Sequence, residues 1–228
     1  MEKVCVAWWR AAEAPPAGPD LVDAVRASAV VRAATVHVER PGFDVLRHGA
    51  AVDGRLLTAL ASVWLDSYQD LPALLPGGQS WLVCESVPQP YGDAFTWPEG
   101  SASPGLSIVT LLDKPASLSE DEFYRCWHEL HRLTTAQCHP FTSYVRNEVA
   151  RALTPGATRL RGIVTESAPS TQDFLDPDRF YVSGGDPGRL RANQKRVLEE
   201  ITQFIDMSTI QVAPMTEFVV RRLAPTSP

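Results

Sequence analysis

With 228 residues and a hydrophobic fraction of 44%, the chain holds enough apolar material for one large domain or two small ones. Its net charge of −6 divides into −5 over residues 1–103 and −1 over residues 104–228, so neither half offers the basic platform that nucleic-acid binding needs. No apolar run approaches the roughly 18 residues of a membrane span, and the apolar stretch near the N-terminus is too short for a signal peptide. The expectation is a soluble, cytoplasmic protein with no nucleic-acid and no membrane partner.

In chain order, Val4–Arg10 reads as a strand, Leu21–Ala27 as a helix, and Val30–Arg40 as a long strand in which Thr35, His37 and Glu39 alternate with Val36 and Val38. Leu57–Leu65 is a further strand. Asp66 to Leu71 opens a short helix, with Asp66 as its expected cap, and Trp81–Val87 is a strand ending at Pro88. Residues 92–105 hold Pro98, Gly100, Pro104 and Gly105 among small polar residues, the composition of a linker or surface crossing. Beyond it, Leu106–Leu112 is a strand, Ser119–Gln137 a helix, Phe141–Ala150 an alternating strand and Arg161–Glu166 another. Gly184-Gly185-Asp186-Pro187-Gly188 is turn chemistry before a second amphipathic helix, Arg189–Phe204. Thr209–Leu223 closes the chain as a strand that Pro214 marks for a bulge or an edge.

The helix from Ser119 carries the clearest pattern. Ser119 and Glu122 form a capping box, and Pro140 biases His139 away from helical torsions and so ends the helix near Gln137 or Cys138. At about 100° per residue, Phe123, Trp127 and His131 form one oblique stripe that Leu130 and Thr134 extend. With Phe123, Trp127 and Leu130 inward, His131 falls at the edge of the buried face and His128 nearer solvent.

The order β-α-β-β-α-β thus occurs twice, in residues 1–91 and 106–228, joined by 92–105. That is the ferredoxin-like plan of an α+β protein. Two such halves bury their open faces by packing sheet to sheet, as an intrachain pseudo-dimeric α/β barrel with a cavity between sheet and helices. An internal echo sets Trp64-Leu65-Asp66-Ser67 beside Val164-Thr165-Glu166-Ser167.

Asp113-Lys114-Pro115, Leu118 to Phe123, Trp127, His131 and Tyr144-Val145-Arg146-Asn147, taken in that order, resemble EthD-type members of the dimeric α/β-barrel superfamily. The likeness covers residues 106–150 well and the rest of the second half by plan. The first half resembles a degenerate copy without the Trp-x-x-x-His helix, which implies one functional site per chain. The resemblance implies a hydrophobic, oxygenated small-molecule substrate, aromatic or polyketide-like, and a monomer closed by its own pseudo-dimer or a homodimer.

On this reading His131, Tyr144 and Arg146 are the catalytic candidates: the imidazole moves a proton, and the phenol or guanidinium stabilises an enolate or phenolate. Trp127, Phe123, Asn147 and Trp64 are the candidate substrate contacts. The plainer readings are a His131 bonded to a neighbouring carbonyl, an Arg146 paired with Glu148 on the surface, and an Asn147 that pins the fold. His37 faces a second cavity or is an ordinary satisfied histidine. Cys5, Cys84, Cys126 and Cys138 have no CxxC spacing, and His128 and Cys138 lie too far apart on one helix to chelate together, so no metal is expected. With no GxGxxG, P-loop, HExxH or GxSxG, no cofactor is expected either. Three activities stay open: a cofactor-independent lyase, isomerase or cyclase; a non-catalytic binding or stabilising protein; and a cofactor-free monooxygenase. A second polar group opposite His131 on the cavity wall separates catalysis from mere binding.

Overall fold

The computed structural model of the chain describes residues 1–9, 18–49 and 55–223. The first half contains β1 (Glu2–Trp9), α1 (Gly18–Ala27), β2 (Val31–Glu39), the two-residue β3 (His48–Gly49), β4 (Leu57–Leu65), α2 (Leu71–Leu74) and β5 (Gln79–Gln89). The second contains β6 (Leu106–Leu112), α3 (Glu120–Tyr124), a π-helical turn (Arg125–Leu130), α4 (His131–Cys138), β7 (Ser143–Ala152) and β8 (Gly162–Ala168). It continues with α5 (Gln172–Leu175), α6 (Pro177–Phe180), α7 (Pro187–Phe204) and β9 (Gln211–Arg221). Arg10, the expected end of the first strand, lies outside the described residues.

Hydrogen-bonded neighbours follow the order β2-β4-β1-β5-β7-β8-β6-β9-β3, and β2 also pairs with β9. The sheet therefore closes into an eight-stranded antiparallel barrel, with β3 a short addition on β9. The two halves do not stack as separate layers. Their sheets join edge to edge through β5–β7 and β2–β9, which removes the open edges that each half alone would present.

Alternation along each strand gives the barrel two apolar faces. Cys5, Ala7, Leu60, Trp81, Val109 and Met215 point inward and fill one end of the interior. Outside the first half, Leu21, Val22 and Val25 of α1 lie on Val4, Val36 and Val63. Outside the second half, Phe123, Trp127 and Phe204 lie on Leu112, Tyr144 and Val164. The internal echo does not survive this test of faces. Trp64 looks into the barrel and Val164 out of it, so the two segments are not in structural register.

Several boundaries moved for local reasons. Asp66 does not cap the helix after β4; it is bonded by Arg32, and the Ser67 hydroxyl accepts from Gln69 N–H at 3.3 Å instead. Strand β5 runs through Pro88 because its pairing with β7 shifts register between Ser86 and Gln89. Pro214 sits where the second neighbour of β9 changes from β3 to β2, so its missing N–H breaks no ladder on that side. The 92–105 segment is a structured crossing: Gly100 and Ser103 donate to the carbonyls of Val219 and Glu217, and Ala102 bridges Phe218 on β9. Among the described residues no helix is long and apolar enough to cross a membrane.

Candidate active site

The helix that follows Ser119 starts at its expected cap, the Ser119 hydroxyl accepting from Glu122 N–H at 3.1 Å, while the Glu122 carboxylate pairs with Arg125 rather than closing the box. Six residues later its geometry departs from α. The π turn of Arg125–Leu130 carries an extra residue per turn, which rotates everything beyond it by about 100° relative to a continuous α-helix. Leu130, expected inward, is accordingly 40% exposed, and His131 takes the inward slot. Thr134, Thr135 and Cys138 follow it into the interior. The edge position expected for His131 is therefore replaced by a central one.

Arg146 accounts for part of this geometry. Its guanidinium is buried, and it donates to the Trp127 carbonyl inside the π turn and to the Ser86 hydroxyl, both at 3.1 Å. It is neither the surface partner of Glu148 nor a cavity group; it props the turn that aims His131.

Between this helix, α7 and the outer face of β6–β8 lies a cavity of about 360 Å³. His131 and Phe204 form its helical wall, while Thr110, Tyr144 and Glu166 face them from the sheet. Aromatic rings of Trp127, Phe141, Phe174 and Phe180 and aliphatic side chains such as Ile108, Val197 and Ile210 enclose the remainder. Under α1 the matching space of the first half is packed with Leu21, Val22 and Val25.

The His131 ring lies 5.4 Å from Phe204, and its Nδ1 is 3.4 Å from Glu200 Oε2. Glu200 is held in turn by the Thr134 hydroxyl at 2.5 Å and by Arg196 at 3.4 Å. Burial holds the imidazole below its ordinary pKa, and the Glu200 charge partly opposes that. Burial therefore favours the neutral imidazole; Nδ1 stands beside the Glu200 carboxylate without a hydrogen bond to it, and Nε2 is the nitrogen on the far side of the ring.

Across the cavity, Tyr144 and Glu166 are direct cross-strand neighbours in the β7–β8 register. Burial pushes the Tyr144 phenol up, the adjacent Glu166 charge pushes it further, and Arg146 acts the other way. The phenol stays a proton donor at any working pH. No basic side chain among those described reaches Glu166, and burial lifts its carboxyl to about 7. His139, at the end of the cavity, stacks on Phe141 with its Nδ1 3.1 Å from the Phe180 carbonyl, and burial holds it down to about 4. It is a neutral wall group.

Of the seven residues proposed from sequence, Trp127, His131 and Tyr144 share this cavity. Phe123 is fully buried behind Trp127, their rings 5.3 Å apart. Asn147 and Trp64 lie on the other side of the sheet, inside the barrel; Asn147 Nδ2 donates to the Ile163 carbonyl at 3.1 Å. Sequence reasoning missed Glu166 and Glu200. Each had a signal: Glu166 shares a strand face with Val164, and Glu200 interrupts the stripe of Val197, Ile201 and Phe204 on α7.

Glu166 should reveal itself in stability. A carboxyl ordinarily near 4.5 that reaches about 7 in the fold favours the native state when protonated. That advantage is present below about pH 4 and is lost as pH rises through 7, a swing of about 3 kcal/mol. Glu166→Gln should therefore flatten the urea-unfolding profile between pH 4 and 8 and be more stable than wild type at pH 8.

No family model matches the sequence, the EthD type included, and a search of the curated proteins finds no match. Among solved structures, the chain is similar to one described as an anthrone oxidase-like protein. The match covers 100% of this chain and 97% of that one at 12% identity, with a TM-score of 0.56. At that identity the likeness is one of fold, a barrel shared over the whole chain.

Proposed function

We propose that this chain is a cofactor-independent enzyme that moves protons on a hydrophobic, oxygenated aromatic or polyketide-like molecule, as a lyase, isomerase or cyclase. The observation that carries the reading is the pairing of two oxygen-bound donors, Tyr144 and Glu166, opposite a carboxylate-backed His131 in an otherwise apolar cavity. An apolar pocket with its histidine tied to backbone would fit a binding protein; this cavity has a base on one wall and acids on the other.

In the proposed reaction a ketone or phenol oxygen sits against Tyr144 and the protonated Glu166, and Nε2 of His131 removes a proton from the carbon beside it. The imidazolium that forms is stabilised by Glu200. Donors already aimed at the oxygen stabilise the enolate without reorganisation. Return of the proton to another carbon gives isomerisation, loss of a β-hydroxyl gives dehydration, and attack on a second carbonyl gives cyclisation. Because Glu166 acts as an acid, the rate falls as pH rises above about 7.

The two strand sets have the same internal order, second-third-first-fourth, which supports reading the chain as a tandem of ferredoxin-like, EthD-like halves. On that reading the barrel is complete within one chain, and a second copy adds nothing to the cavity.

The whole-chain likeness to an anthrone oxidase-like protein favours a second reading, a cofactor-free oxygenase. The same deprotonation then yields a carbanion that dioxygen attacks; the CH₂ carbon becomes C=O, and the second oxygen atom leaves as water. Anthrone incubated with the protein in air and under nitrogen separates the two. Quinone formation with matching oxygen uptake supports the oxygenase. Anthrone that binds without being oxidised returns the assignment to proton transfer alone, and anthrone that does not bind removes this substrate class.

A further inference from the structure

A second cavity, of about 430 Å³, lies inside the barrel at the end that the apolar core leaves unfilled. It is separated from the His131 cavity by the sheet itself, since Val145 and Thr165 line it while their neighbours Tyr144 and Val164 line the other. From the structure we infer that this interior cavity is a binding site for a neutral hydroxylated aromatic molecule, a phenol or naphthol, whose O–H donates to His37.

His37 and Glu217 are cross-strand partners in the β2–β9 register, 1% and 4% exposed. His37 Nε2 lies 3.4 Å from Glu217 Oε1. The other carboxylate oxygen, Oε2, accepts from the Tyr91 hydroxyl and faces the Ser167 hydroxyl at 3.5 Å, which fixes the carboxylate's orientation. Neither ring nitrogen of His37 makes a hydrogen bond among the described residues, so the acceptor nitrogen of the imidazole is left unmet beside the cavity. A buried acceptor without a donor is costly to keep, so a ligand that brings a donor gains from the contact.

The walls and the charges define the rest of the ligand. Trp64, Tyr91 and Phe95 supply aromatic surface, and Val87, Val145 and Val219 supply aliphatic surface. Lys3 is paired with Glu85 and lies 4.3 Å from the Trp64 ring centre. Arg222 is paired with Glu99 at 2.8 Å, and Arg221 donates to the carbonyls of Val31 and Arg26. With its cations engaged, the cavity makes no demand for an anionic head group. A flat ring with one hydroxyl fits aromatic walls and a single acceptor.

The probe is 2-naphthol, titrated into the full-length protein while the indole N–H signals of Trp64 and Trp127 are followed by NMR. Trp64 reports the barrel interior and Trp127 the outer cavity. Trp64 is expected to shift with a saturable curve of its own. Val145→Phe should abolish that curve and leave Trp127 responsive, and Val164→Phe should do the reverse. His37→Phe keeps the ring's bulk but removes the acceptor, and should weaken the Trp64 curve at least tenfold. A Trp64 signal that does not move in the wild type overturns the site without any variant having to fold. An affinity unchanged in His37→Phe overturns the recognition of the hydroxyl. Failure of Trp127 to respond bears on the proton-transfer reading alone.

Discussion

Replacing His131 with alanine is expected to lower kcat by about 10²–10⁴-fold while ligand affinity stays within a few-fold of wild type. The asymmetry follows from position. The imidazole occupies one place on a cavity wall that is mostly aromatic and aliphatic, so most of the surface that holds a hydrophobic ligand remains when it is removed. What disappears is the one cavity-lining imidazole that, among the described residues, stands beside a carboxylate. Glu200→Gln keeps the shape but withdraws the charge that stabilises the imidazolium, and should lie between wild type and His131→Ala. Steady-state kinetics beside direct ligand titration separate the terms. A His131→Ala protein with undiminished kcat removes the general base from the proposal.

Phe123→Ala should cost the largest share of stability of any change near the site, about 3–5 kcal/mol. Phe123 is fully buried and touches three rings: Tyr124 at 5.1 Å, Trp127 at 5.3 Å and Phe204 at 6.0 Å. Its removal leaves a void behind both the cavity-lining Trp127 and the ring against which His131 rests. Chemical denaturation measures the loss, and at temperatures where the variant is folded kcat should fall as well, because the base is less firmly aimed. A loss below about 1 kcal/mol would mean that the helix can settle into the void, and that Phe123 does not fix the wall.

The sequence carried the architecture further than it carried the site. Strands Leu57–Leu65 and Leu106–Leu112 have the expected bounds because their apolar runs are flanked by polar or turn-forming residues. The helix beginning after Ser119 starts as expected because its cap is a local hydrogen bond, and it ends as expected because Pro140 constrains the residue before it. The π turn was not legible. It depends on Arg146, nineteen residues downstream, reaching back to the Trp127 carbonyl, and no periodicity within the helix encodes a partner on another element. That single turn explains why the stripe was right for Phe123 and Trp127, wrong for Leu130, and too modest for His131.

Strand faces posed a similar limit. Tyr144 and Asn147 fall on opposite sides of β7 by simple alternation, but alternation does not say which side faces the helices and which the barrel. The expectation that both contact one ligand could not hold for residues three apart on a strand. Glu166 and Glu200 were hidden for another reason: a carboxylate in an apolar pattern reads as noise until the opposing wall is known. His37 read as an ordinary satisfied histidine or as facing a cavity under the first half's helices; it lies inside the barrel instead, and its cross-strand partner Glu217 comes from the far end of the chain.

Removal of a proton from carbon in this cavity is tested, without requiring any later step, by hydrogen–deuterium exchange on anthrone. Under nitrogen in D₂O, NMR follows loss of the methylene hydrogens that lie between the two aromatic rings. Exchange is expected to be faster than in buffer, slowed about 10²-fold or more in His131→Ala, and slower above pH 7 in wild type but not in Glu166→Gln. Saturable binding of anthrone with exchange no faster than in buffer would contradict it.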